Sequence, residues 1–401
     1  MASTLTSQAS WAGAGSPAFL SAGKDASGAF LLAGLSDTGG ILFRHPLPGR
    51  GHAAAAHPVR PEAVAFARRP GRFADVIDCR SGAATARLEP PAGHHFYGHG
   101  TFSPDGSRLF TTENDYENAR GVIGVWDATG GYRRITAFSS GGIGPHDMAL
   151  RRDAPGLVVA NGGIETHPDS GRAKLNLPDM RPNLSYLSLE GELQAQMELA
   201  QELRLNSIRH LAVRADGTVG FAMQWQGDPG EQLPAAGRHR PGTAPRLMAE
   251  DDAQELRLNS IRHLAVRADG TVGFAMQWQG DPGEQLPAAG RHRPGTAPRL
   301  MAEDDARVLN LNGYGGSVAF SADGSRIGVT SPRGGVLQIM DTVSGALLRE
   351  VRMRDVCGLA PSAGGFTAST GTGRLIAVSD TGQTLLHRAD LAWDNHLIPL
   401  I

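Results

Sequence analysis

One stretch of this chain occurs twice: Gln201–Ala253, opening QELRLNSIRHLAVRADG, recurs without a single change as Gln254–Ala306, a unit of 53 residues. Arrays of repeated units accept a whole extra unit far better than a fragment, so a tandem copy points to a fold built from repeats. Looser versions of the same pattern run along the chain as YGHGTFSPDGSRLFTT, GPHDMALRRDAPGLVVA, YGGSVAFSADGSRIGVT and DVCGLAPSAGGFTAST, with weaker ones around Lys24–Leu35 and Phe66–Ile77.

Each version alternates apolar and polar residues, turns at Asp-Gly or Gly-Gly, and alternates again. That is a β-hairpin signal, because these turn residues accept the positive φ of a tight turn. A third strand closing on W-D or M-D follows in GVIGVWDATGG (Gly121–Gly131) and GVLQIMDTVSG (Gly335–Gly345). A period of about 40 to 50 residues with this rhythm is that of a four-stranded propeller blade. The 53 glycines and 25 prolines of the 401 residues suit such a turn-rich body and argue against a helical bundle. The fold expected is therefore an all-β propeller of seven blades, to which the copy adds an eighth. An eight-bladed ring is favoured over a seven-bladed ring that extrudes one copy. Residues 1–22 are expected as a flexible tail and 23–401 as one propeller domain, with ELRLN (Glu202–Asn206) read as an outermost strand at the start of the copied unit.

The formal charge is −2, with Lys24 and Lys174 the only lysines, so neither nucleic acid nor an anionic membrane is indicated as a partner. Apolar runs such as Phe30–Leu35 are far shorter than a spanning helix requires, and no transmembrane segment is expected. The first residues show neither a basic start nor an apolar core, so no export signal is visible and a cytoplasmic location stays open. Cys79 and Cys357 are too few for a disulfide framework.

The strings HHFYGHGTFSPDGSRLFTTENDY, RGVIGVWD, GIGPHD, VVANGGIETHPDSGRAKLN, MRPNLSYL, SIRHLAV and WDNHL resemble an uncharacterised family of bacterial seven-bladed propellers related in architecture to the WD40 and YVTN groups. The resemblance runs from about Gly28 to the C-terminus. It implies a periplasmic protein linked to metal acquisition, because members usually carry a twin-arginine export signal and are often encoded beside imelysin-type iron-uptake and di-haem oxidoreductase genes. Iron-uptake proteins of the periplasm are the partners it implies, with no oligomeric state indicated. It implies no particular reaction.

In a propeller the innermost strand of each blade lines the central channel. Aligned on the turn glycine, His99, His210 and, in the copy, His263 fall level, His146 opens the corresponding strand of the blade between, and Cys357 and Ser317 lie near the same level later on. Convergent imidazoles with a thiol suit iron, copper or zinc, which makes His99, His146, His210 and Cys357 a candidate metal set. The competing reading is that each His bonds the next blade and fixes its spacing. Around this set, His95, Glu113, Asp115, Glu165, His167 and Arg209 are candidate ligand-binding residues, since polar irregular segments belong at the surface or mouth. Salt bridges and blade stitching would account for the same carboxylates and guanidinium.

Three functions stay open. The leading one is an accessory propeller that binds a metal or metal-handling partner at the His-lined mouth. A lactonase-like hydrolase using Glu113, Glu165, His146 and Arg209 is the second, although no nucleophile or fixed base stands out and the balance favours a binding role. The third is a metal-free interaction platform docking a partner through loops such as Gly227–Arg299.

Overall fold

The computed structural model describes residues 11, 17–171, 173–228, 236–247, 259–278, 287–293, 296 and 298–400. Among them the strands form eight antiparallel sheets of four strands each, arranged as the blades of a propeller ring. Blades are numbered here in chain order. Within blades 2 to 8 the strands follow one another from the axis outward: blade 3, for instance, is built of His94–Phe102, Arg108–Asp115, Arg120–Asp127 and Arg133–Ser139.

The Asp-Gly turns do the work expected of them. Gly106, Gly217, Gly270 and Gly324 sit at φ of 72°, 80°, 85° and 70°, between the first and second strands of blades 3, 5, 6 and 7. The preceding aspartates brace these turns: Asp105 accepts from the Ser107 N–H at 3.0 Å, Asp216 from Thr218 at 3.0 Å, and Asp323 from Ser325 at 3.0 Å. The third strands of blades 3 and 7 end on Asp127 and Asp341, as the W-D and M-D pairs predict.

Apolar residues are buried between neighbouring blades, so the core is a series of layers around the ring. Val64, Phe66 and Val76 of blade 2 pack on Phe96, Leu109 and Trp126 of blade 3. Val158, Leu184 and Tyr186 of blade 4 pack on Ile208, Phe221 and Met223 of blade 5. Each blade thus relies on both neighbours to dry its faces.

The two copies make blades 5 and 6, with inner strands Asn206–Val213 and Asn259–Val266, and Phe221 and Phe274 are fully buried at equivalent places. The ring holds both, as expected of an eight-bladed closure. ELRLN is not an outermost strand, however. Gln201–Leu203 is a 3₁₀ turn, and blade 5 draws its four strands from Asn206–Leu247, so the copied unit contains one complete blade. The outer place in blade 4 is already taken by Leu193–Glu198.

Blade 1 closes the ring. Its innermost strand is the C-terminal Leu391–Pro399, which pairs antiparallel with Phe19–Asp25, so that Phe19 faces Pro399 and Asp25 faces Leu391. The boundary expected between residues 22 and 23 falls inside this first strand, because the edge offered by the last strand recruits the chain from Phe19 onward. Residues 1–10 and 12–16 of the expected tail lie outside the described residues. No helix among the described residues is long and apolar enough to cross a membrane.

Deleting Gln254–Ala306 should leave a protein that unfolds in one transition at an equal or higher melting temperature, since blade 5 then meets blade 7 across a joint of the same phase. Truncation after Asp390 should instead abolish cooperative unfolding by calorimetry, because it removes the pairing that closes the ring.

Candidate metal centre

Six inner strands each contribute a histidine at one level of the axis: His52, His99, His146, His210, His263 and His396. A break in strand register lies at or beside each of them. Register shifts between Gly51 and Ala54, Phe96 and Gly100, Pro145 and Asp147, and Ile208 and Leu211, and a similar break flanks His263. In the terminal strand, Asp394–His396 fall in the jump from Trp393 to Leu397. A bulge leaves a residue out of the ladder and re-aims its side chain, and here it turns each imidazole toward the axis. The strand Val318–Phe320 of blade 7 pairs without a break and carries no histidine.

The rings form a closed circuit. Successive centroids are 4.8 Å apart for His52 and His99, 5.6 Å for His99 and His146, 4.9 Å for His146 and His210, and 6.5 Å for His210 and His263. The circuit continues through His396, 5.7 Å from His263 and 5.8 Å from His52. Gly98 makes room for it, since a Cβ at that position would sit 2.6 Å from the His52 ring.

Within the circuit, one nitrogen each of His99, His146 and His210 lie within 4.8 Å of one another, close enough to share a metal ion. Asp147 anchors two of them: its Oδ1 lies 3.1 Å from His99 Nδ1 and its Oδ2 3.7 Å from His210 Nδ1. The carboxylate is itself held by the backbone N–H groups of Met148, at 2.8 Å, and Leu211, at 3.0 Å. A carboxylate on Nδ1 puts the imidazole proton there and leaves Nε2 as a lone pair. His99 Nε2 is buried without a hydrogen-bond partner, and so is His146 Nδ1.

The electrostatics suit the neutral form that metals require. Burial, and then the Arg209 guanidinium, push the His146 pKa well below the ordinary histidine range. Burial likewise lowers His52 and His210, the latter despite Asp147, and takes His263 to about 3 and His396 to about 4. Burial works against the Asp147 charge, but His99 and His210 outweigh it and hold its carboxyl well below the usual range.

Of the residues expected from sequence, His99, His146 and His210 meet, and His263 joins the circuit beside them. Cys357 does not. It follows Val356 at the bulge of the innermost strand of blade 8, but its buried thiol faces the carbonyls of Trp393 and Asp394 at 3.4 Å each, and burial raises its pKa to about 12. The thiol is a packing donor and is not gathered with the imidazoles.

The other candidates are placed as follows. Glu113 is fully buried in blade 3, where it pairs with Arg134 at 2.7 Å and accepts from Thr111, which in turn accepts from Trp126 Nε1. Asp115 is paired with Arg120 at 2.6 Å and braces the turn through Asn118. His95 donates from Nδ1 to the Phe96 carbonyl and accepts from Asn114 at Nε2. His167 caps a 3₁₀ turn by accepting from the Asp169 N–H, and its ring meets Tyr116 edge-on. Glu165 opens the same loop, its backbone N–H held by Asn176. Arg209 reaches Gln224 at 3.0 Å. Gly227–Arg299, expected as partner-docking loops, instead holds Ala236–His239 and Arg246–Leu247 of blade 5 and Asn259–Val266, Val272–Trp278 and Ala289–His292 of blade 6, while 229–235, 248–258 and 279–286 lie outside the described residues.

Sequence reasoning missed His52, His396 and Asp147. Alignment on the turn glycine cannot find the first two, because HPVRPE after His52 holds no such glycine and no second strand follows His396 in sequence. Asp147 was visible in GPHD, next to His146.

Residues 45–259 and 252–400 match a family described as "Protein of unknown function (DUF1513)". No curated protein matches the chain. Among solved structures it is similar to the Dos1 propeller, with 10% identity and a TM-score of 0.55 over 86% of this chain and 85% of that one. It is also similar to the computationally designed Ika8 protein, with 13% identity and 0.54 over 86% and 89%, and to a chain of a mitotic checkpoint complex, with 11% identity and 0.52 over 85% and 86%. At such identities the likeness extends to the fold alone.

Because His52, His146, His210, His263 and His396 titrate lower in the folded than in the unfolded chain, the unfolded state binds more protons once pH falls below about 6.5, and stability drops as pH falls toward the folded values. The Asp147 contribution is lost only below its own unfolded value of 3.8. The melting temperature should therefore fall by at least about 5 °C between pH 7 and pH 4.5 in circular-dichroism melts. His263→Gln should make that dependence shallower.

Proposed function

We propose, from the premise that this chain belongs to the DUF1513 family of proteins of unknown function, that it is a non-catalytic propeller that binds a transition metal, iron or copper, through His99, His146 and His210 and serves metal acquisition. The observation that carries this reading is the meeting of three imidazoles from three consecutive blades over a half-buried carboxylate. Each of these features is placed by a bulge or by backbone hydrogen bonds, so the donor set is held in position before any ion arrives.

Neutral nitrogen donors suit iron, copper or zinc better than magnesium or calcium, which prefer oxygen. Three protein ligands leave a fourth position open, unlike a structural zinc site closed by four. An open position fits a metal that is handed on, and an accessory protein of metal uptake needs that exchange. The periplasm as location and iron-uptake proteins as partners rest on the resemblance of the polar strings to exported propellers. The hydrolase alternative has less support, since Glu113 is committed to Arg134 inside blade 3. A metal-free platform would leave the unpartnered nitrogens of His99 and His146 without a use.

Untagged protein exposed to Fe(II), Cu(II) or Zn(II) and desalted should retain about one ion per chain by plasma mass spectrometry. The triple His99→Ala, His146→Ala, His210→Ala variant should retain none, and Asp147→Asn should weaken binding by roughly 10- to 100-fold. Absence of any retained or titratable metal in the unmodified protein would overturn the reading.

A further inference from the structure

Blades 6, 7, 8 and 1 line a cavity of about 820 Å³ that opens to solvent. Its origin lies in the residues that occupy the axial level there. Blade 7 offers Ser317, whose hydroxyl is taken up by His263 Nδ1 at 3.1 Å, and blade 8 offers Cys357, which faces backbone carbonyls. With no large side chain from those two blades, the channel stays open. Its walls include Ala265, Val318, Ala319, Phe320, Leu359 and Leu397, two of them too small to fill it. The cavity runs from His263 and His396 at its inner end to the Asp-Gly turns, where Arg267, Asp269 and Asp323 line the mouth.

The inner end has a defined polarity. The Val318 N–H donates to His263 Nδ1 at 3.1 Å, so that nitrogen bears no proton and the neutral ring carries its proton on Nε2. A ring that accepts at Nδ1 carries no positive charge, and burial disfavours a charge on His396 as well. Among the described residues the one cation lining the cavity, Arg267, pairs with Asp269 at 3.4 Å at the mouth. A carboxylate or phosphate carried to the inner end would meet no counter-charge among them, and burying an unpaired ion is strongly unfavourable. An uncharged oxygen acceptor meets a fixed N–H donor and apolar walls, and the volume is that of a typical small-molecule site.

We propose that this cavity binds a small, uncharged, mostly apolar molecule whose carbonyl, ether or phenol oxygen accepts a hydrogen bond from His263 Nε2–H. The assignment does not depend on a metal at His99, His146 and His210, and the test is made on chelator-treated protein so that the two readings stand or fall separately. The neutral naphthalene ketone PRODAN, titrated into the protein, should bind saturably at one site with blue-shifted emission. His263→Phe keeps the bulk and removes the donor. It should weaken binding roughly fivefold and shift the emission of bound probe further to the blue, as the carbonyl loses its hydrogen bond. Ala265→Trp should abolish binding, and Ala268→Trp, at the exposed mouth, reads the same obstruction if the first variant does not fold. No saturable binding, or binding that neither Trp variant disturbs, would overturn the proposal. Tighter binding of the anionic anilinonaphthalene sulfonate than of PRODAN would overturn the assignment of an uncharged ligand.

Discussion

The pairing of the last strand with the first holds this molecule together. Blades stacked side by side leave two end faces that no neighbour dries, and a sheet edge at each end open to other chains. Leu391–Pro399 removes both ends at once by entering blade 1 beside Phe19–Asp25. Asp394, in the irregular part of that strand, adds a two-pronged ion pair with Arg50 of the next blade, with contacts of 2.8 and 2.7 Å. Every apolar layer between blades is retained only while this closure holds.

Closure and chemistry are joined in the same strand. The irregular stretch Asp394–His396 that lets the last strand bind Arg50 also delivers His396 to the axis, and its continuation, Leu397 and Ile398, walls the cavity. Elsewhere the bulges have an equivalent role. An unbroken ladder directs alternate side chains into the layers between blades, where an imidazole would need a partner. Breaking the innermost ladder in each blade but the seventh gives the axis its own set of side chains and leaves the layers apolar. Blades 7 and 8, which bring Ser317 and Cys357 to this level in place of imidazoles, leave the axis open on their side.

Blade architecture was legible because it is written in short-range signals: alternation, Asp-Gly turns at positive φ, and a third strand ending on Asp127 or Asp341. His99, His146 and His210 were legible for the same reason, since each opens or follows the start of a recognisable hairpin. His396 was not, because its hairpin partner lies at the other end of the chain and only ring closure brings the two together. Glu113 and Cys357 show the opposite limit. Position along a strand says that a side chain is near the axis or in a polar string, but only the third dimension shows that Arg134 or a pair of carbonyls has already claimed it.

Blades 5 and 6 make the same point without any difference of sequence. His210 turns Nδ1 toward the Asp147 carboxylate of blade 4, while its twin His263 turns Nδ1 to accept from the Val318 backbone of blade 7. One imidazole thus faces a carboxylate and the other a backbone donor. Arg214 and Arg267 each pair with the aspartate two residues on, at 3.1 and 3.4 Å, but Arg214 also reaches the Asp269 carbonyl of the copy. For a ring of this kind, duplication alone creates chemical novelty. A gene that copies one blade acquires two histidines of different character before a single point mutation has accumulated, because the neighbours on either side were different from the start.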